Sequence, residues 1–179
     1  AQALALGDPA EGAVAWERIG AWAREHRSGL TLVGADLWGG LARIWTGDLA
    51  AAEASEERAI EGETLWGTTM AAEMGYSSSF LALARLEQGD LAGARAALER
   101  NEASTGTSDG SRFWRASNAE LLLGECRWDE AIRVTEDVER TWPIQLHPVW
   151  SPWRSQRARA LAALGDREQA VTLAEEELE

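Results

Sequence analysis

"LALARLEQGDLAGARAALER", Leu81 to Arg100, decides the fold of this chain. It holds two Ala/Leu-rich helical runs hinged on Gly89-Asp90. A glycine there takes the left-handed conformation that ends one helix, and an Asp after it caps the amides that open the next. A nucleoside-triphosphate loop requires a Lys behind its glycines to reach the phosphates. The chain has no Lys at all, its 17 basic residues all being Arg, so the pair reads as a corner between helices.

The corner recurs in "ALGDPAEGAVAWERI", "WTGDLAAAEASEERAI" and "ALGDREQAVTLAEEEL", with a variant in "LLGECRWDEAIRV". Its anchors are Gly7, Gly47, Gly89, Cys126 and Gly165. A small residue follows each five positions on: Gly12, Ala52, Ala94, Ala131 and Ala170. A unit of roughly 40 residues carrying two helices is the signature of an α-solenoid, longer than the usual tetratricopeptide repeat and within HEAT-type lengths. The expected fold is all-α, a right-handed α-solenoid of helix-turn-helix, tetratricopeptide-like repeats, forming one domain over 1–179.

Composition agrees with a folded helical array. Apolar residues make up 45% of the chain and charged residues 26%, enough to bury a real core. The net charge of −13 argues against gripping a nucleic-acid backbone or an anionic membrane. The lone cysteine, Cys126, forbids an internal disulfide and points to a reducing compartment, so a cytoplasmic location is expected. No apolar run reaches the length of a signal peptide core or a membrane span. The opening "AQALALGD" lacks Met and starts inside a repeat, which reads as a piece of a longer protein.

Along the chain, Asp8-Pro9 supplies a cap and a first-turn proline for a helix to about Arg27. Leu30, Val33, Leu37, Leu41 and Ile44 then form one apolar stripe, with Gly34, Trp38 and Trp45 beside it, as expected of an inner helix touching two neighbours. "LWGTTMAAEMGYSSSFLALARLEQ" reads as one helix loosened by Ser77 to Ser79, "STGTSDG" as a loop, and Ser151-Pro152 as the cap and first residue of "PWRSQRARALAAL".

The stretches "LEQGDLAGARAALER", "ALGDREQAVTLAEEELE" and "HPVWSPWRSQRARALAALGD" resemble the carboxy-terminal half of bacterial LuxR-family large ATP-binding transcriptional regulators, the MalT-like group. In that family an ATPase module precedes a helical-repeat sensor, and a helix-turn-helix that binds DNA follows it. Only the sensor is resembled here. The resemblance therefore implies a module that binds a small effector or a protein partner and relays this to ATPase and DNA-binding modules outside the chain. A constitutive protein-interaction scaffold with no small-molecule ligand is the alternative. Homo-oligomerisation is compatible with both.

No catalytic constellation emerges, and no cofactor or metal is expected. His26 and His147 stand in unrelated repeats without Cys, Asp or Glu at zinc-ligand spacing. The acidic clusters "EASEER" and "AEEELE" read as the solvated faces of outer helices. The unusual feature is tryptophan, ten against one Tyr and two Phe. Trp16, Trp22, Trp128 and Trp142, on second helices, are expected to pack between repeats. Trp66, Met70 and Met74 form an adaptable apolar row. First helices line the groove of such stacks, so Trp38, Trp45, Trp114 with Asn118, and Trp153 with Arg157 are the candidate ligand- or partner-binding residues.

Overall fold

The computed structural model describes residues 7–66, 75–100, 106–142, 148 and 150–178. Among these are nine helices and no strand: α1 (Pro9–Glu25), α2 (Gly29–Thr46), α3 (Leu49–Trp66), α4 (Tyr76–Glu87), α5 (Leu91–Glu99), α6 (Asp109–Gly124), α7 (Trp128–Thr141), α8 (Trp153–Leu164) and α9 (Arg167–Leu178). They form an all-α helical-repeat solenoid. Four hairpins follow one another, α2–α3, α4–α5, α6–α7 and α8–α9, with α1 packed in front against α2.

Each hairpin turns by the same device. Gly47, Gly89, Cys126 and Gly165 have φ of 79°, 79°, 58° and 96°. At the Leu81–Arg100 corner, the amide of Asp90 donates to the Arg85 carbonyl and that of Gly89 to the Leu86 carbonyl, both at 2.9 Å. The same two bonds close the other three corners. This is the Schellman arrangement, which satisfies the carbonyls that a helix end leaves open. Asp8, Asp90 and Asp166 then cap the following helices by accepting the amides of Ala10 and Glu11, Gly93, and Gln169 respectively. The small residue five positions past each anchor is buried in every case, because it lies where two helices cross too closely for a larger side chain.

Successive first helices touch one another, α2 with α4, α4 with α6 and α6 with α8, while each second helix also packs on the first helix of the next hairpin. The core is accordingly a chain of linked clusters. One gathers Leu81, Ala94, Leu98 and Leu121; another gathers Leu37, Leu41, Phe80 and Phe113; a third gathers Val138, Trp153, Leu161 and Leu173. No helix among the described residues is long and apolar enough to cross a membrane.

Several local expectations are corrected. Leu65 and Trp66 belong to α3 rather than opening the next helix, and the next described helix begins at Tyr76 after Gly75 (φ 78°). Ser77, Ser78 and Ser79 are buried and anchor that start: Ser78 and Ser79 donate to the Gly75 carbonyl and Ser77 to Glu63. Helix α8 begins at Trp153, with Pro152 as an N-cap that supplies no side-chain bond. Glu177 of α9 takes over, accepting the Ser155 amide at 3.1 Å and its hydroxyl at 2.7 Å. Trp22 is 50% exposed and stacks on His26 of its own helix instead of packing between repeats. Trp16, Trp128 and Trp142 are partly buried. Met70, Met74 and His147 lie outside the described residues. The cluster "EASEER" is no solvated face, since Glu56 is 0% exposed, and Glu63 further along the helix is 2% exposed.

Candidate functional site

The groove is built by repeat phase. Counting back nine residues from Gly47, Gly89, Cys126 and Gly165 reaches Trp38, Phe80, Ser117 and Gln156; counting back six reaches Leu41, Leu83, Glu120 and Arg159. Equivalent positions of stacked helices face the same way, so these two rows run side by side across α2, α4, α6 and α8. Between them lies a cavity of about 280 Å³, lined by both rows except Trp38, and also by Trp45, Glu87, Phe113, Ala116, Trp150 and Pro152.

Its floor is a connected set of rings. Trp38 lies 5.8 Å from Phe80, Phe80 stands edge-on to Phe113 at 5.2 Å, Phe113 to Trp150 at 5.6 Å, and Trp150 to Trp45 at 6.0 Å. Tyr76 joins Trp38 and Phe113 at 5.6 and 5.7 Å, and burial pushes its hydroxyl above the usual tyrosine range. Edge-to-face pairs are the favoured aromatic geometry, and each adds about 0.5–1.5 kcal/mol beyond area burial. Trp150 is positioned through its backbone: buried Arg112 donates to the Trp150 carbonyl.

The polar end of the cavity is α6 facing α8. Arg159 Nη1 donates to both oxygens of Glu120, at 2.7 and 2.9 Å. Gln156 Nε2 donates to the Ala116 carbonyl at 2.9 Å and to Glu120 Oε2 at 3.3 Å. Gln156 is 4% exposed, and its Oε1 has no hydrogen-bond partner among the described residues. Glu87, the last residue of α4, also lines the cavity; it is exposed and has no ion-pair partner among the described residues.

The six residues singled out from sequence fall in three places. Trp38 and Trp45 belong to the ring floor. Trp114 and Asn118 stand twelve and eight positions before Cys126, a different helix face. They line a separate cleft of about 360 Å³ between α5, α6 and α7, in which Trp114 Nε1 donates to the Leu98 carbonyl at 3.1 Å. Trp153 and Arg157 occupy the same two phases before Gly165. Trp153 is 9% exposed and packs into the α7–α8–α9 core, with the Arg154 and Arg157 guanidinium groups 4.4 and 4.6 Å from its ring centroid. Arg157 is further tied to Thr135 and Glu139 of α7.

Sequence reading missed Phe80, Phe113, Trp150, Glu87, Glu120, Gln156 and Arg159. The signal was present for Phe80, Glu120, Gln156 and Arg159, whose distances to their corners repeat. For Trp150 there was none, since it precedes α8 and its place on the floor is set by contacts with Arg112, Phe113 and Trp45, all distant in sequence. Among the described residues no group of His, Cys, Asp and Glu has the geometry of a metal site.

A helical-repeat solenoid with a ring-floored groove defines a class of interaction modules, which bind along the extended surface their stacked helices create. A family model described as tetratricopeptide repeat matches residues 76–100 and 152–176, the α4–α5 and α8–α9 hairpins. Repeats of this type imply protein partners and are typically non-catalytic. Compared with curated proteins and with solved structures, the chain has no significant match.

Proposed function

We propose that this chain is the sensor and interaction domain of a bacterial transcriptional regulator of the LuxR-family, MalT-like kind. In this reading a small effector or a partner's segment binds in the groove, and occupancy is relayed to ATPase and DNA-binding modules outside the chain. The observation that carries the proposal is that one cavity is lined by residues of all four successive hairpins: Trp45 from the first, Phe80 from the second, Phe113 from the third and Gln156 from the fourth. Repeats contact mainly their neighbours, so the stack bends cumulatively, and a ligand spanning four of them has different contacts in each curvature. That differential affinity is what a sensor needs. Trp45 and Trp38 are the sequence-derived residues that serve this site; Trp114, and Trp153 with Arg157, hold neighbouring helices together, and Asn118 lines the separate cleft.

The test is stabilisation by ligand. A compound held at 100 times its Kd raises folding stability by about 2.7 kcal/mol if it binds only the native state. Trp45→Ala is expected to abolish that rise while keeping the helical circular dichroism. A compound that stabilises Trp45→Ala as much as the parent chain overturns the groove as the site.

A further inference from the structure

The groove described above has a chemical polarity of its own, and it resolves the class of ligand. Its apolar half is made by Trp45, Leu41, Phe80 and Phe113, from α2, α4 and α6. Its polar half offers hydrogen-bond acceptors in excess. Gln156 Oε1 is buried without a donor, the Glu120 carboxylate lies on the wall, and Glu87 stands unpaired at the rim. The assignment of the Gln156 amide is fixed by its surroundings, because the two groups its nitrogen meets, the Ala116 carbonyl and Glu120, are both acceptors. An unsatisfied buried acceptor destabilises the empty groove, and a ligand N–H supplies the missing bond.

The side-chain donors of the polar half are already committed, and the N–H groups left without an acceptor among the described residues are the Trp45 and Trp150 indoles of the ring floor. Ser117 is committed to the Ser79 carbonyl at 3.1 Å, and Arg159 is spent on Glu120. Ring faces carry negative quadrupole potential and attract cations, and the chain's charge of −13 adds a field of the same sign. An anion would meet two carboxylates, and a neutral apolar body would leave Gln156 Oε1 unpaired.

We propose that the groove binds a small organic ammonium ion carried on an apolar body, the body against the Trp45, Phe80 and Phe113 rings and the ammonium between Glu120, Gln156 Oε1 and Glu87. The inference rests on the groove being the ligand site. Arg159 has a defined place in it as the protein's own cation, holding Glu120 until a ligand ammonium competes for the same carboxylate. That makes its removal favourable to binding, which neither an anion site nor a carbohydrate-type hydrogen-bonding site would show.

The experiment is calorimetric titration of the whole chain with three matched probes, phenethylammonium, 3-phenylpropanol and 3-phenylpropionate, while the indole N–H signal of Trp45 is followed by NMR. Phenethylammonium is expected to bind at least about fivefold more tightly than the alcohol, with no detectable binding of the carboxylate. Glu87→Gln, on the exposed rim, is expected to weaken the ammonium about threefold and Glu120→Gln about tenfold, whereas Arg159→Ala tightens it about threefold. Melting curves of the three variants identify any that fail to fold, and Glu87→Gln loses no hydrogen bond or ion pair among the described residues. Equal or tighter binding of the alcohol or the carboxylate overturns the ammonium assignment and leaves the groove as a site. Weakening by Arg159→Ala likewise overturns it. If none of the probes binds or moves Trp45, the groove reading falls with it.

Discussion

The two faces of α3 come from one acidic string, Glu53 to Glu57, and are treated in opposite ways. On the face toward α4, Arg85 donates to Glu53 at 3.0 Å, to Glu57 at 2.7 Å and to the Gly93 carbonyl at 3.1 Å, and Arg100 adds a bond to Glu57 at 3.2 Å. On the face toward α2, Glu56 is fully buried and neither carboxylate oxygen has a hydrogen-bond partner among the described residues. Arginines are close by, but Arg58 donates to Asp36 and Ser55, and Arg43 donates to Ser55. Burial, with Glu63 and Asp36 nearby, therefore holds the Glu56 carboxyl well above the usual range, against the smaller opposing pull of Arg43 and Arg58. Glu63 is raised by burial in the same direction, opposed by its bond from Ser77. One face stabilises the stack through ion pairs; the other tolerates an acid that favours being neutral. Charge in a sequence does not reveal which will occur, because the neighbour on each face decides.

The largest break in this comparison is Arg85→Ala. Removing the clamp leaves Glu53 with only its bond from Gln88 and Glu57 with only its bond from Arg100, and takes a donor from the Gly93 carbonyl, at an expected cost of about 2–3 kcal/mol. Equilibrium urea denaturation measures it, and a loss below half a kcal/mol would mean the clamp is ornamental. Next is Gly40→Ala, on the opposite face. A Cβ there falls 2.0 Å from Glu56 Oε1, and with no solvent to retreat into the carboxyl must force its neighbours apart, costing about 1–3 kcal/mol. The same change made in a Glu56→Ala background should cost at least about 1 kcal/mol less, and a strictly additive double mutant contradicts the contact.

Smaller in size and opposite in sign is Glu56→Gln. With the folded-state pKa raised above the unfolded one, the native chain binds the extra proton. The contribution of Glu56 is then fully favourable below about pH 4.5, the model-peptide value, and is lost as pH rises through the folded pKa. Glu56→Gln should therefore be more stable than the parent by about 1–2 kcal/mol at pH 8, with the advantage vanishing toward pH 4. Denaturation midpoints across that range check both the sign and the slope. Least of all, Arg100→Ala removes an exposed pair with Glu57 and should shift stability by under about 0.5 kcal/mol. A larger loss would place Arg100 in the clamp with Arg85.

The corners were the legible part of the molecule. Gly89-Asp90 and its relatives work through local backbone chemistry, the left-handed turn and the capped amide, and such effects depend on a few adjacent residues. The groove was legible only in part. Trp38 and Trp45 were singled out because tryptophan on a first helix is conspicuous, and Trp45 lines the cavity while Trp38 belongs to the ring cluster. Gln156 and Glu120 were not, since an amide and a carboxylate acquire meaning only when opposite residues place a ring or an unmet acceptor beside them. Trp114 and Trp153 drew notice for the same reason as Trp45, yet at twelve positions before their corners they lie roughly 60° around the helix from the nearer groove row and roughly 120° from the other, which turns them toward the neighbouring helices.

By itself the sequence determined the repeat: the positions of the corners, the pairing of helices and the small residues where they cross, all set by short-range sterics and hydrogen bonding. Only the tertiary structure decided which face of each first helix looks into the groove, that Trp150 closes its floor, and that Glu56 is sealed while Glu53 and Glu57 are paired. Those outcomes depend on contacts between residues some 20 to 40 positions apart, whose geometry is fixed by how one hairpin leans on the next and is written in no local stretch of the chain.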